Sequence, residues 1–248
     1  MRDGRHGRPV GRATRTVGSR VGHARPGIRP TAHPVLMVVA SLAVVAVAAA
    51  GRRRLLRWGA TAADVQRELT GDELVSDPDL TSTRAITIRA GADDVWPWIV
   101  QLGQDRGGFY SYDALENLVG CNIHSANAVN PDWQHLDVGD SVKLAPEVAL
   151  TVAVAEAPRT LVLQGGVLPG AATAPYAFTW AFDLTPMSTT TTRLIVRERY
   201  AYTKWWARLI VEPVTVVSFF MSHRMLRGIR DRAEHRSRPS EVPPATDL

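Results

Sequence analysis

The stretch Trp205-Trp206-Ala207-Arg208-Leu209-Ile210-Val211-Glu212-Pro213-Val214-Thr215-Val216-Val217-Ser218-Phe219-Phe220-Met221-Ser222-His223-Arg224-Met225-Leu226-Arg227-Gly228-Ile229-Arg230-Asp231-Arg232 decides the fold. At 100° per residue, Ile210, Val214, Val217, Met221, Met225 and Ile229 share one side. Arg208, Glu212, Thr215, Ser222, His223 and Arg230 share the other, so the pattern predicts an amphipathic helix with the first set facing a core. Phe219 and Leu226 lie on the polar side, which predicts a second contact there, with a ligand, a partner or lipid. Pro213 removes a backbone donor and crowds the preceding turn, so a kink or restart is expected at it.

Upstream of this helix the period is two. Tyr176, Phe178, Trp180, Phe182 and Leu184 fall on one face of a strand, with Ala177, Thr179, Ala181 and Asp183 on the other. After the polar turn Ser188 to Thr192, Leu194, Val196, Glu198, Tyr200 and Tyr202 share a face opposite Ile195, Arg197 and Arg199, which makes a hairpin. Val142 and Leu144, then Leu150, Val152 and Val154, then Leu161 and Leu163 read as further short antiparallel strands. Before them, Thr83 to Arg89 alternates as a strand. A helix follows from about Asp93, with Val95, Trp98, Ile99 and Leu102 as its buried stripe. Ser111 is placed to cap a second short helix carrying Asp113, Leu115, Glu116, Asn117, Leu118 and Val119. A strand, two short helices, several antiparallel strands and one long final helix make an α+β domain.

Charge separates the front of the chain from this domain. Residues 1–57 hold twelve arginines and one acid, a net of +11, which leaves −6 for residues 58–248 in a chain of +5 overall. An acidic core argues against a nucleic-acid-binding domain. Residues 1–33, rich in Arg, Gly and Pro, are expected to be a disordered tail, as are residues 236–248. Val35 to Ala50 is apolar apart from Ser41; with Pro34 and Gly51 it reaches about the length of a membrane span. Ala48-Ala49-Ala50 resembles a signal-peptide cleavage box, but the long leading region and the Arg52-Arg53-Arg54 cluster favour a single transmembrane helix over 34–51. The closeness of those arginines places the C-terminal domain on the cytoplasmic side of the cell membrane. Residues 52–82 read as a juxtamembrane helix, capped by Thr61 and running to Leu69, and a linker. Cys121 is the lone cysteine and forms no intrachain disulfide.

The motifs Thr83-Arg84-Ala85-Ile86-Thr87-Ile88, Val95-Trp96-Pro97-Trp98, Arg106-Gly107-Gly108-Phe109-Tyr110-Ser111-Tyr112-Asp113, Leu115-Glu116-Asn117, Ile123-His124-Ser125-Ala126, Val138-Gly139-Asp140 and Val196-Arg197-Glu198-Arg199-Tyr200, with the final helix, carry a resemblance. They resemble the START/polyketide-cyclase-like (SRPBCC) superfamily, and more closely a membrane-anchored actinobacterial-type branch of it. The resemblance implies a helix-grip domain over 83–235, a curved antiparallel sheet wrapped around the C-terminal helix, enclosing a mostly apolar cavity. It further implies binding or transfer of lipids and sterols, polyketide cyclisation or dehydration, or ligand sensing. Asn122 and Asn127 stand where relatives are expected to carry acids, which weakens an acid/base role for that loop.

The expected cavity wall comprises Trp98, Tyr110, Tyr112, Phe178, Trp180, Glu198, Tyr200, Val217 and Met221. Glu198 is the sharpest chemical candidate. Carried in beside Tyr200 and below Trp180, it would be a desolvated general acid; the structural alternative is an ion pair with an arginine such as Arg224. Tyr110, Tyr112, Asp113, Glu116, Asn117 and His124 form the densest polar cluster, with Asp113 and His124 as its candidate proton-transfer pair. Equally, that cluster can fasten an irregular loop through buried hydrogen bonds. His124, His135, Asp132 and Asp140 lack metal-ligand spacing, and Gly107-Gly108 is not a phosphate loop, so neither metal nor cofactor is indicated. The reading is therefore a membrane-anchored binding or carrier domain for a lipid or other hydrophobic small molecule. A cyclase/dehydratase-like enzyme and a regulatory protein-interaction domain are the alternatives.

Overall fold

The computed structural model describes residues 46–118, 120–165 and 175–237. The expected tail 1–33, Val119, residues 34–45 of the expected span and the tail from 238 lie outside them. Residues 46–56 are helical. They are followed by α1 (Ala62–Gln66), β1 (Leu80–Ile88), α2 (Ala92–Val100) and α3 (Asp113–Leu118). The sheet continues with β2 (Ser141–Ala145), β3 (Val148–Glu156), β4 (Thr160–Gly165), β5 (Tyr176–Ser188) and β6 (Thr191–Tyr202), and α4 (Ala207–Arg236) closes the fold. All neighbours pair antiparallel in the order β1-β6-β5-β4-β3-β2, so the first and last of the described strands lie side by side. This curved six-stranded sheet holding a long C-terminal helix is a helix-grip fold.

Alternation on β5 and β6 sets the inner face. Phe182, Leu184, Leu194 and Val196 are buried there with Ile86 and Ile88 of β1 and with Val95, Trp98 and Ile99 of α2. Met225, Leu226, Ile229 and Ala233 of α4 complete this core, whose apolar burial stabilises the fold at about 25 cal/mol per Å². Asp93 and Asp94 occupy the first turn of α2, and Pro97 sits early enough in it to be accommodated.

The outer face of β1 and β6 is covered too. Residues 57–79, read from sequence as a juxtamembrane linker, pack on that face and are held by three arginines of β6. Arg193 donates to Asp64 and to the Gly59 carbonyl; Arg197 donates to Asp72 and to the carbonyls of Asp64, Val65 and Arg67; Arg199 donates to the Val75 carbonyl. Thr61 caps α1 with Asp64 in a reciprocal capping box, but the helix ends at Gln66 rather than Leu69.

The final helix departs from its sequence pattern over its first half. Ile210, Val214 and Val217, expected inside, are 39, 49 and 60% exposed, while Thr215, Ser222 and Leu226, expected outside, are buried. Met225 and Ile229 do face the core. The reason is polar. At the level of Ser218 and Ser222 the sheet presents a buried arginine and glutamate, so hydroxyls rather than valines must face it. The helix runs unbroken through Pro213, which is exposed, so the restart expected there does not occur.

Candidate functional site

Between α4, α3 and the sheet lie two adjoining compartments. The inner, of about 190 Å³, is lined by Phe109, Ser111, Glu116, Leu144, Trp180, Met221, Ser222 and Met225. The outer, of about 440 Å³, is walled by Leu115, Leu118, Cys121, Ile123 and Val217, and shares Phe109, Glu116, Leu144 and Met221 with the inner one. Strand alternation turns Trp180 and Leu144 inward, and helical spacing puts Met221, Ser222 and Met225 on one side of α4. Trp180 stacks with Phe182 at 4.8 Å and Phe109 at 6.4 Å, continuing an aromatic wall along β5.

Among the described residues of this apolar lining stands one carboxyl, Glu116. Its residue is 6% exposed and neither carboxyl oxygen has a hydrogen-bond partner. Burial, reinforced by the nearby Asp113 charge, pushes the carboxyl up to about 7. The Ser111 hydroxyl, the least of the three influences, pulls the other way; its Oγ also lies 3.4 Å from the Met221 sulfur. Near neutrality both protonation states are populated, so the group can accept a hydrogen bond, donate one or transfer a proton.

Glu198 occupies a different environment. Its Oε1 accepts from Arg84 Nη1 at 2.9 Å, and Ser218 Oγ donates to Oε1 and Oε2 at 2.9 and 3.0 Å. Ser222 Oγ adds a longer bond at 3.3 Å. The carboxylate is thus held in a buried ion pair whose partner comes from β1, not Arg224 of α4. Tyr200 packs on Phe178 at 4.6 Å in a separate cluster with Leu56, Leu80 and Val211, and burial followed by the Glu198 charge drives its hydroxyl well above the usual range.

Trp98 and Tyr110 lie in the main core, edge to face at 5.8 Å. The Tyr110 hydroxyl accepts from Gln101 Nε2 at 2.8 Å, Arg232 lies 4.6 Å over its ring, and burial raises its pKa. This locked phenol is a structural pin rather than a proton donor at neutral pH. Tyr112 is 38% exposed. Asp113 accepts from Ser125 N and Oγ at 2.7 and 2.6 Å, next to His124, whose own side chain is exposed. Of the nine residues expected on the wall, Trp180 and Met221 line the inner compartment, and Val217 lines the outer one although largely exposed. Ser111 serves Met221 rather than capping α3.

Sequence reasoning included Glu116 in the polar cluster but did not distinguish it, because α3 is inside out. Its leucines Leu115 and Leu118 are 58 and 83% exposed, whereas its one buried residue is the glutamate. Arg84 escaped because a strand arginine reads as solvent-facing unless its partner is known.

No protein-family model matches this chain, and no curated protein does. Solved structures similar to it include the Zhui aromatase/cyclase from Streptomyces sp. R1128, at 17% identity and a TM-score of 0.38 over 65% of this chain and 98% of that one. Norcoclaurine synthase from Thalictrum flavum is similar at 14% identity and a TM-score of 0.39, covering 67% and 92%. Protein Ms6760 from Mycobacterium smegmatis shows 15% identity and a TM-score of 0.41, covering 61% and 89%. Such neighbours share the polyketide-cyclase-like fold. At these identities no ligand and no reaction transfers from them.

Proposed function

We propose that the protein is a membrane-anchored binding or carrier domain for a lipid or other hydrophobic small molecule, held between the sheet and α4. The carrying observation is the pair of adjoining apolar compartments, whose outer member lies in the size range of small-molecule sites. A single-pass anchor over 34–51 with the folded domain on the cytoplasmic side belongs to this reading. Supporting it is the outward side of α4, where Leu209, Ile210, Val216, Val217 and Phe220 are exposed beside Trp205. The same side turns cationic at the exposed Arg224 and Arg227, the order expected of a helix lying in a lipid interface with arginines among anionic headgroups. Leu115, Leu118 and Val217, at the outer compartment, continue this apolar surface.

The cyclase/dehydratase alternative draws on Glu116 rather than Glu198, since Glu116 is the cavity carboxyl whose protonation is balanced near neutral pH. The binding reading is tested by purifying the full chain in lipid nanodiscs and extracting what is bound for mass spectrometry. A defined hydrophobic compound is expected, and it should be lost in Leu144→Trp, which fills the wall common to both compartments. An empty wild-type protein that takes up no apolar probe at micromolar concentration overturns it.

A further inference from the structure

Taking the cavity as a binding site, we propose that it selects hydrophobic molecules whose polar group is a hydrogen-bond donor, a hydroxyl above all, and rejects carboxylates, with Glu116 as the recognising acceptor. The carboxyl lies on the wall common to both compartments, buried, with neither oxygen paired. Leaving such an acceptor unpaired in a dry site is costly, and a ligand donor recovers that cost on binding.

The groups facing Glu116 are committed elsewhere or carry no positive charge. On α3, Asp113 is occupied by Ser125 and adds negative potential. Ser111 is turned to Met221, and the Cys121 thiol is itself held protonated by burial and by the Glu116 charge. On α4, Ser222 serves Glu198 and Arg84, and the methionines are apolar. Among the described residues lining the two compartments there is no lysine, arginine or histidine. Arg84, on the inner face of the sheet, is ion-paired through Nη1 with Glu198 and lines neither compartment, although its Nη2 has no partner. A ligand carboxylate would therefore be desolvated against like charge with no compensating cation. A hydroxyl meets the opposite situation. It donates to Glu116, and the Trp180 Nε1–H, which has no acceptor and belongs to the same inner wall, offers a donor for its oxygen.

The test uses full-length protein in nanodiscs and three probes with one ring system: 2-naphthol, 2-naphthylamine and 2-naphthoate, titrated calorimetrically at about pH 8 against empty nanodiscs. Wild type is expected to bind 2-naphthol at least about tenfold more tightly than 2-naphthoate, equivalent to about 1.4 kcal/mol, with the amine between them. Glu116→Gln, whose amide can donate to a carboxylate, should close that gap. Glu116→Met should weaken 2-naphthol without lowering the melting temperature, which separates lost recognition from lost fold. Equal binding of 2-naphthol and 2-naphthoate by wild type, or a gap that persists in Glu116→Gln, overturns the selectivity. Binding of none of the three overturns the cavity-binding reading itself, and the selectivity with it.

Discussion

Arg84 Nη1 lies 2.9 Å from Glu198 Oε1, with both side chains closed to solvent at 1 and 5% exposure, and this pair sets the rotation of α4. A buried ion pair is tolerated only when its remaining valences are satisfied. Ser218 and Ser222, one helical turn apart, meet that need at Arg84 Nη1 and the Glu198 carboxylate, although Arg84 Nη2 stays without a partner, and turning them inward carries Val214 and Val217 outward. The exposed apolar side of α4 is thus the consequence of a polar requirement at its back.

Removing one partner of the pair strands the other in a dry site. Arg84→Met and Glu198→Met are each expected to destabilise the fold by about 3–5 kcal/mol, and the double replacement by clearly less than the sum. Urea unfolding followed by tryptophan fluorescence measures all three; additive losses would show that the two side chains are not coupled.

Glu116 makes stability fall as pH rises. Its carboxyl is held at about 7 in the fold against 4.5 in the open chain, so between those values the folded state binds the proton that the unfolded state has released. The penalty is absent below about pH 4.5 and complete above about pH 7, on the order of 3 kcal/mol. Glu116→Gln should be more stable than wild type at pH 8 and lose this contribution to the slope. A melting temperature with the same pH profile in both proteins would rule the assignment out.

Arg197 fastens residues 57–79 to the outer face through Asp72 and three backbone carbonyls, with 3% of its side chain exposed. Arg197→Leu removes the donor to the three carbonyls and one of the two arginines paired with Asp72, which keeps Leu69 N and Arg199, and should cost about 3–5 kcal/mol. Limited proteolysis should then cleave first within 60–79, before α4 or the hairpin of β5 and β6. Cleavage unchanged in site and rate would deny Arg197 this role.

At Gly228, α4 passes against Tyr110 so closely that a Cβ would stand 2.5 Å from the Tyr110 carbonyl oxygen and 2.6 Å from its Cβ. Alanine raises helix propensity by about 1 kcal/mol but forces backbone apart at a cost of about 1–3 kcal/mol. Tyr110 cannot readily yield, since it is held at a φ of 55° and bonded to Gln101. Gly228→Ala should therefore lower stability by about 1 kcal/mol in thermal unfolding; a gain would mean that helix and loop separate freely.

Much of the architecture is legible in local pattern. The alternation of Tyr176 to Leu184 and of Leu194 to Tyr202, with polar residues between, specifies a hairpin because a strand's side-chain period is two whatever it pairs with. The stripe Val95, Trp98, Ile99 and Leu102 is buried as its helical spacing implies. Thr61 with Asp64 specifies a helix start because a capping box closes within four residues. The candidate site was only partly legible. Its aromatic wall follows from the alternation of β5, but which carboxyl enters the cavity does not follow from anything local.

By itself, then, the sequence determined the order of elements, the antiparallel hairpins, the long closing helix and the separation of an arginine-rich front from an acidic domain, all properties of neighbouring residues. Only the tertiary structure decided that Glu198 is neutralised by Arg84 from another strand while Glu116 enters the cavity unpaired, although both are glutamates in amphipathic segments. Burial of a charge depends on whether a partner arrives from elsewhere in the chain. Arg84 and Glu198 are 114 residues apart, so that partner is settled by strand pairing rather than by local spacing.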